Sequence, residues 1–216
     1  MNGDELQDTY KTIARKGTAE LTVKGSRFIA EAIPVESVEQ AQHELDIIRK
    51  REYDATHHCS AWRVGPRGEE WRYSDDGEPS GTAGPPILRH IEGRDLTNLI
   101  VVVTRYFGGT KLGTGGLIRA YGDAAAAALD DAPVVTRIMR DRVSLVFGYE
   151  DTSPAMHTIG QFDAEIVDTT YTDVTELIVD VRRAQTAALI DAFTNALAGR
   201  GTARVLSGAG KESSAQ

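Results

Sequence analysis

A glycine-rich segment, Gly108-Gly109-Thr110-Lys111-Leu112-Gly113-Thr114-Gly115-Gly116, lies between Arg105-Tyr106-Phe107 and Arg119 in a chain of 216 residues. It follows the apolar run Leu99 to Val103 and precedes an alanine-rich stretch, so it reads as the turn between a buried strand and a helix. Such a turn leaves backbone N–H groups at the helix start free to face an anion. From Leu96 to Gly122 there is no Asp or Glu, and Arg105, Lys111 and Arg119 are the only charges. The segment is not a Walker loop, because Lys111 follows Thr110 and precedes Leu112. Nor is it a dinucleotide fingerprint, since the third glycine is missing from its place. Its chemistry is anion or nucleic-acid binding, with Tyr106, Phe107 and Tyr121 as rings on which bases could stack beside positive charge. The alternative is that the glycines serve only a tight turn and close helix–strand packing.

Two further segments hold reactive residue types. Asp75-Asp76-Gly77-Glu78 begins a turn-rich loop that runs through Ser80 and Thr82 to Gly84. Three acids in four residues can hold a hard cation through oxygen, although the spacing matches no calcium loop. Ser80 and Thr82 could donate to a phosphate, and an ordered surface loop is the plain alternative. His57-His58-Cys59 falls in a strand, where alternation sends His57 and Cys59 to one face and His58 to the other. His57 and Cys59 with Asp75 or Asp76 would make a zinc site or a Cys–His nucleophile. Ordinary packing is the more common fate of such residues. The candidate catalytic residues are therefore His57, Asp75, Asp76 and Glu78, and neither a metal nor a cofactor is expected.

The elements that must position these residues can be read from pattern. Strands are expected at Glu20–Lys24 and Arg27–Val35, with a turn at Gly25-Ser26 that would bring Lys24 and Arg27 beside the glycine loop. Ser37 and Gln40 have capping-box spacing, and Val38, Ala41, Leu45 and Ile48 follow on one helical face. Strands at Ala55–Val64 and Glu70–Tyr73 flank the turn Gly65-Pro66-Arg67-Gly68, with Trp62 and Trp71 as packing residues. A short helix at Pro86–Ile91, a buried strand at Leu99–Arg105 and a helix at Gly116–Leu129 complete a first part. After Pro133 the order is strand (Arg142–Gly148), helix (Ala155–Gly160, with Pro154 at its first position), strands (Ala164–Tyr171, Thr175–Val181), helix (Ala184–Leu197) and strand (Thr202–Leu206). This βαββαβ order is ferredoxin-like.

Composition bounds the function. The formal charge of −8 argues against a polyanion binder held by overall charge, and it leaves room for one confined anion site. No apolar run approaches the ~20 residues of a membrane helix, so no membrane association is expected. The first residues have no apolar core of a signal peptide, and Cys59 is the single cysteine, so a cytoplasmic location is expected.

Lys24-Gly25-Ser26-Arg27-Phe28, His57-His58-Cys59, Asp75 to Gly84, Arg105 to Gly109 and Leu112 to Gly116 together resemble the motifs of the IMPACT family of YigZ-type proteins, in the family's order. The resemblance covers about residues 17–130, and the second part is similar to the small C-terminal domain of bacterial members and to the ferredoxin-like domains of elongation factor G. It implies an α+β chain: a ribosomal protein S-five domain-two-like domain over 18–134, then a ferredoxin-like domain over 137–206. Residues 1–17 would be a flexible N-terminus and 207–216 a disordered tail. Eukaryotic members act in translational control by binding a ribosome-associated scaffold. Their extra N-terminal partner-binding domain has no counterpart in these residues, so that role is not carried over. For bacterial members the resemblance points to nucleic-acid binding. The expectation is a non-enzymatic RNA- or ribosome-associated protein of translation, with a translation factor as a possible protein partner. Its anion-binding residues would be Lys24, Arg27, Arg105, Tyr106, Gly108, Gly109, Lys111, Gly113, Thr114, Gly115, Gly116 and Arg119. The competing expectation is an enzyme acting on a small phosphorylated or nucleotide-like substrate.

Overall fold

The computed structural model describes residues 8–206 and the backbone at Ser213–Ser214. The chain forms two compact units, Tyr10–Thr136 and a second built from the described residues on either side.

From Thr9 to Ile138 the elements run β1 (Thr9–Ile13), β2 (Gly17–Val23), β3 (Ser26–Pro34), α1 (Val38–Arg51), β4 (His57–Val64), β5 (Glu70–Ser74), α2 (Gly84–Glu92), β6 (Leu99–Tyr106), α3 (Thr114–Asp131) and β7 (Val134–Ile138). Five of them make an antiparallel sheet in the order β2-β3-β6-β4-β5. The central strand β6 is buried on both faces, which its unbroken apolar run requires. Val101 and Val103 join Phe28, Ala30, Cys59 and Ala61 against α2 and α3. Ile100 and Val102 join Val64 and Ile33 against Ala41, Leu45 and Ile48 of α1. Alternation carries this division to the strand's end, putting Arg105 on the α3 side and Tyr106 on the α1 side.

The alanines of α3 allow close approach to the sheet: Ala124, Ala125 and Ala128 are fully buried, and a side chain at Gly17 of β2 would collide with the Ala128 carbonyl at 2.2 Å. The capping of α1 differs by one residue from the box pattern. The Gln40 N–H donates to Ser37 Oγ at 3.2 Å, but the Gln40 side chain accepts from the Glu36 N–H rather than from that of Ser37. Trp71 is not a core residue; it lies 54% exposed on edge strand β5, stacked on Tyr73.

The second unit contains β8 (Arg140–Phe147), α4 (Thr152–Ile159), β9 (Ala164–Tyr171), β10 (Thr175–Arg182), α5 (Thr186–Ala196) and β11 (Thr202–Leu206). The sheet order β11-β8-β10-β9, all antiparallel, with both helices against one core, is the ferredoxin-like arrangement. Helix α4 starts two residues before Pro154, after a 3-10 turn at Tyr149–Asp151.

The flexible N-terminus expected over 1–17 is corrected in its second half. Thr9–Ile13 is a strand hydrogen-bonded to β7, and the buried Asp8 accepts from Arg182 at 2.6 and 3.1 Å. A short polar strand such as Thr9–Ile13 has too little alternation to be seen by pattern. The tail expected over 207–216 lies outside the described residues, except that Ser213–Ser214 runs antiparallel to Arg137–Ile138.

Candidate anion-binding site

Strand register assembles the site. His57 on β4, Arg105 on β6 and Phe28 on β3 are direct neighbours across three strands, on the sheet face that meets α3. The Lys24-Gly25 turn between β2 and β3 backs onto the end of β6. Gly25 and Gly108 touch so closely that a side chain on Gly108 would begin 1.9 Å from the Gly25 carbonyl carbon. Ser26 Oγ accepts from the Gly108 N–H at 3.1 Å and from Arg105 Nη2 at 3.2 Å, joining turn, loop and strand. Phe107 is held by its N–H donating to Thr56 Oγ1 at 3.0 Å, and its ring is exposed.

These elements enclose a cavity of about 420 Å³ lined by His57, Glu78, Pro79, Arg105, Phe107, Lys111, Leu112 and the Gly113–Thr114 start of α3. The 18-residue helix α3 opens on it with Gly113 at the N-cap, φ +74, no side-chain cap and no acid in its first turn. Its first N–H groups and the positive end of its dipole are therefore uncompensated by the protein's own side chains. Lys111 is exposed beside it. Phe107, Leu112, Pro79 and Leu117 give the cavity apolar walls.

The floor is a buried polar cluster. Glu78 Oε1 accepts from Arg105 Nη1 at 2.5 Å and from the Tyr121 hydroxyl at 2.7 Å. Both side chains of the ion pair are more than nine-tenths buried. Burial pushes the Tyr121 phenol far above its ordinary range, so it is a fixed donor. His57 Nδ1 lies 2.8 Å from the Asp76 carbonyl, which can only accept. The proton on Nδ1 is therefore fixed, and Nε2 lies 3.9 Å from Glu78 Oε1.

The expected acidic cluster does not converge. The Asp75 carboxylate accepts from the N–H groups of Gly81, Ala83 and Gly84 at 2.8–3.0 Å, so it caps the start of α2. Asp76 accepts from Arg49 at 3.0 Å and from the His58 N–H at 2.7 Å. Only Glu78 reaches the cavity, and its charge is met by Arg105. Among the described residues no group of three or more His, Cys, Asp and Glu side chains is placed to hold a metal ion. The idea of a Cys–His nucleophile is also corrected: Cys59 is fully buried, donates to the Asp75 carbonyl at 3.0 Å, and its thiol is pushed up by burial.

The basic groove is likewise narrower than its sequence. Arg105 is neutralised by Glu78. Tyr106 faces the α1 side, where its hydroxyl donates to Glu52 at 2.8 Å and lies 3.1 Å from Asp54, and Arg27 lies over its ring at 4.6 Å. The Glu52 hydrogen bond pushes the Tyr106 phenol up to about 12. Arg27 and Tyr106 are thus removed from the site by strand alternation. Tyr121 is fully buried and cannot stack on a base. Of the expected residues, Arg105, Lys111, Gly113 and Thr114 line the cavity, Gly108 and Gly109 lie in the adjoining loop, and Gly115 and Arg119 line a second cavity. Sequence reasoning missed Thr56, Pro79 and Leu117 as lining residues. Only the register and the loop path bring these together.

The Impact N-terminal domain model matches residues 24–129, and that of a domain of unknown function, DUF1949, matches 145–200. Over 129 residues the chain is 44% identical to the IMPACT family member YvyE of Bacillus subtilis (strain 168), spanning 60% of this chain and 59% of that relative. Over 188 residues it is 35% identical to the IMPACT family member YigZ of Escherichia coli (strain K12), spanning 85% and 90%. Among solved structures, the crystal structure of a hypothetical protein superposes with a TM-score of 0.70 at 31% identity, covering 92% of this chain and 98% of that one.

Proposed function

We propose, for a chain that belongs to the IMPACT family, that the cavity at the start of α3 binds the phosphates of single-stranded RNA in a translation-related role. The observation that carries this reading is the uncapped first turn of α3, opening into a cavity whose one exposed cation is Lys111. Free N–H groups, the helix dipole and a lysine all favour an anion there. The apolar wall, with the exposed Phe107 ring, suits a base stacked next to its phosphate. The negative net charge keeps the rest of the surface from holding nucleic acid non-specifically. A ribosomal RNA surface has the same chemistry as a free strand, and a translation factor bound nearby is compatible with it.

The test is affinity for an oligouridylate measured against salt. Lys111→Ala should weaken binding and lower the log–log slope by roughly 0.7, the value for one lost phosphate contact on a single strand. An unchanged affinity and slope would exclude the cavity as the binding site.

One observation favours a second reading, an enzyme acting on a small phosphorylated or nucleotide-like substrate. His57 lines the cavity with its ring oriented by the Nδ1 hydrogen bond to the Asp76 carbonyl and its Nε2 near Glu78, an arrangement that suits acid–base chemistry. Phosphate or nucleoside release from a panel of nucleotides, abolished in His57→Gln, would support it. Turnover that survives His57→Gln would count against it.

A further inference from the structure

A second cavity, of about 360 Å³, lies along the same helix, lined by Pro86, Arg89 and His90 of α2 and by Gly115, Ile118, Arg119 and Gly122 of α3, with Asp123 as its one acid. Thr114 and Leu117 face the first cavity, while Gly115, Ile118 and Arg119 face the second, so the two open on either side of one helical turn. We infer that an RNA strand bound at the first cavity continues across the first turn of α3 and places a further phosphate in this second one, between Arg89, Arg119 and His90.

Three observations support this. Arg89 and Arg119 are both exposed, and neither has an ion-pair partner among the described residues, whereas nearby Arg94 is matched by Asp130 at 2.6 Å. Arg94 Nη1 lies 3.3 Å from His90 Nδ1, and a guanidinium can only donate, so Nδ1 is the acceptor and Nε2 carries the proton. His90 therefore offers the cavity an N–H donor while uncharged. Burial, then the neighbouring Arg94 charge, lowers its pKa, which favours the uncharged form. The helix wall is also bare: Gly115 has an ordinary φ, and a side chain built there would meet nothing within 4 Å. Neither backbone conformation nor packing calls for glycine at that position, but a backbone-close ligand would.

This inference rests on the RNA reading of the first cavity, and the experiment separates the two. Binding of uridine 5′-monophosphate and of a longer oligouridylate is measured against salt for wild type, Lys111→Ala, and the double variant Arg89→Gln/Arg119→Gln. Both arginines are exposed, so a thermal melt should match wild type. For the oligomer the double variant should lose roughly 0.7 of the log–log slope, for one phosphate. For the mononucleotide it should bind as wild type does. Gly122→Ala supplies a variant with every charge kept, because its methyl group would crowd His90 Nε2 at 3.1 Å; it should weaken the oligomer alone. If Lys111→Ala loses affinity while the double variant leaves the oligomer slope unchanged, the second cavity is not a phosphate site and the first stands. Equal losses for mononucleotide and oligomer would also overturn it, as a general field effect. If wild type binds neither probe, both readings fall together.

Discussion

Replacing Glu78 by glutamine tests the construction of the site floor. The carboxylate is 3% exposed and the Arg105 guanidinium 6% exposed, with 2.5 Å between them. Removing one member of a buried pair leaves the other charge uncompensated and typically costs about 3–5 kcal/mol. Glutamine preserves the shape and an oxygen that can still accept from Arg105 and from the Tyr121 hydroxyl. The cost of Glu78→Gln should therefore fall near the lower end, about 3 kcal/mol. For a unit of this size that lowers the melting temperature by about 10 °C. Glu78→Ala loses the acceptor as well, and should lie toward the upper end.

The decisive measurement is a double-mutant cycle by urea denaturation with Arg105→Met. If the destabilisation comes from a stranded charge, Glu78→Gln/Arg105→Met should recover much of the loss, because no buried charge remains. Additive losses in the double variant would refute the reasoning, as would a Glu78→Gln protein as stable as wild type. The same variant adds one positive charge to the cavity floor by freeing Arg105, so its affinity for an oligouridylate should rise while its stability falls. A fall in both would mean that Glu78 holds the shape of the anion site more than it sets its charge.

Other consequences are simpler to read. Cys59 should resist alkylation at pH 8 in the folded protein and react at an ordinary rate in urea, because burial and its bond to the Asp75 carbonyl keep it protonated; rapid labelling of the native chain would contradict its placement. In the second unit, hydrogen bonding to Arg200 holds the Asp151 carboxyl below its usual range, so its stabilisation is present above the unfolded pKa and is lost as pH falls through the lower folded value. Arg200→Ala should move the acid-unfolding midpoint of that unit to higher pH, and no movement would remove the pair from its acid stability. Gly108→Ala should cost at least the ~1–3 kcal/mol of an overpacked site, because its methyl group overlaps Gly25 backbone; a wild-type melting curve would show that the β2–β3 turn is not fixed against the loop.

The sequence makes the elements legible wherever one face is buried and the period is long enough to count. Thr175–Val181 is read to within one residue of the strand Thr175–Arg182, whose alternate residues are buried, and the alanines of α3 announce close packing on a sheet; the largely exposed Ala164–Tyr171 and Thr202–Leu206 are read to the residue from the turns that bound them. Thr9–Ile13 is not legible, because five residues of mixed polarity carry no clear alternation. The site is harder because its charges are set by partners distant along the chain. Arg105 counts as a free cation in an acid-free window, yet its counter-charge, Glu78, is 27 residues away and enters from a loop. Tyr106 is adjacent in sequence but belongs to the opposite face of the sheet. The acid-free window also starts too late to include Arg89 and His90, which read only as the polar side of a short helix. A window of composition measures charge along the chain, whereas an anion meets charge across it. On the proposed reading, the relevant set is the cations that the fold leaves without an ion-pair partner: Lys111 at the first cavity, and Arg89 with Arg119 at the second. That set follows from strand register and helix phase, and it shares just two members with the set of basic residues that composition alone selects.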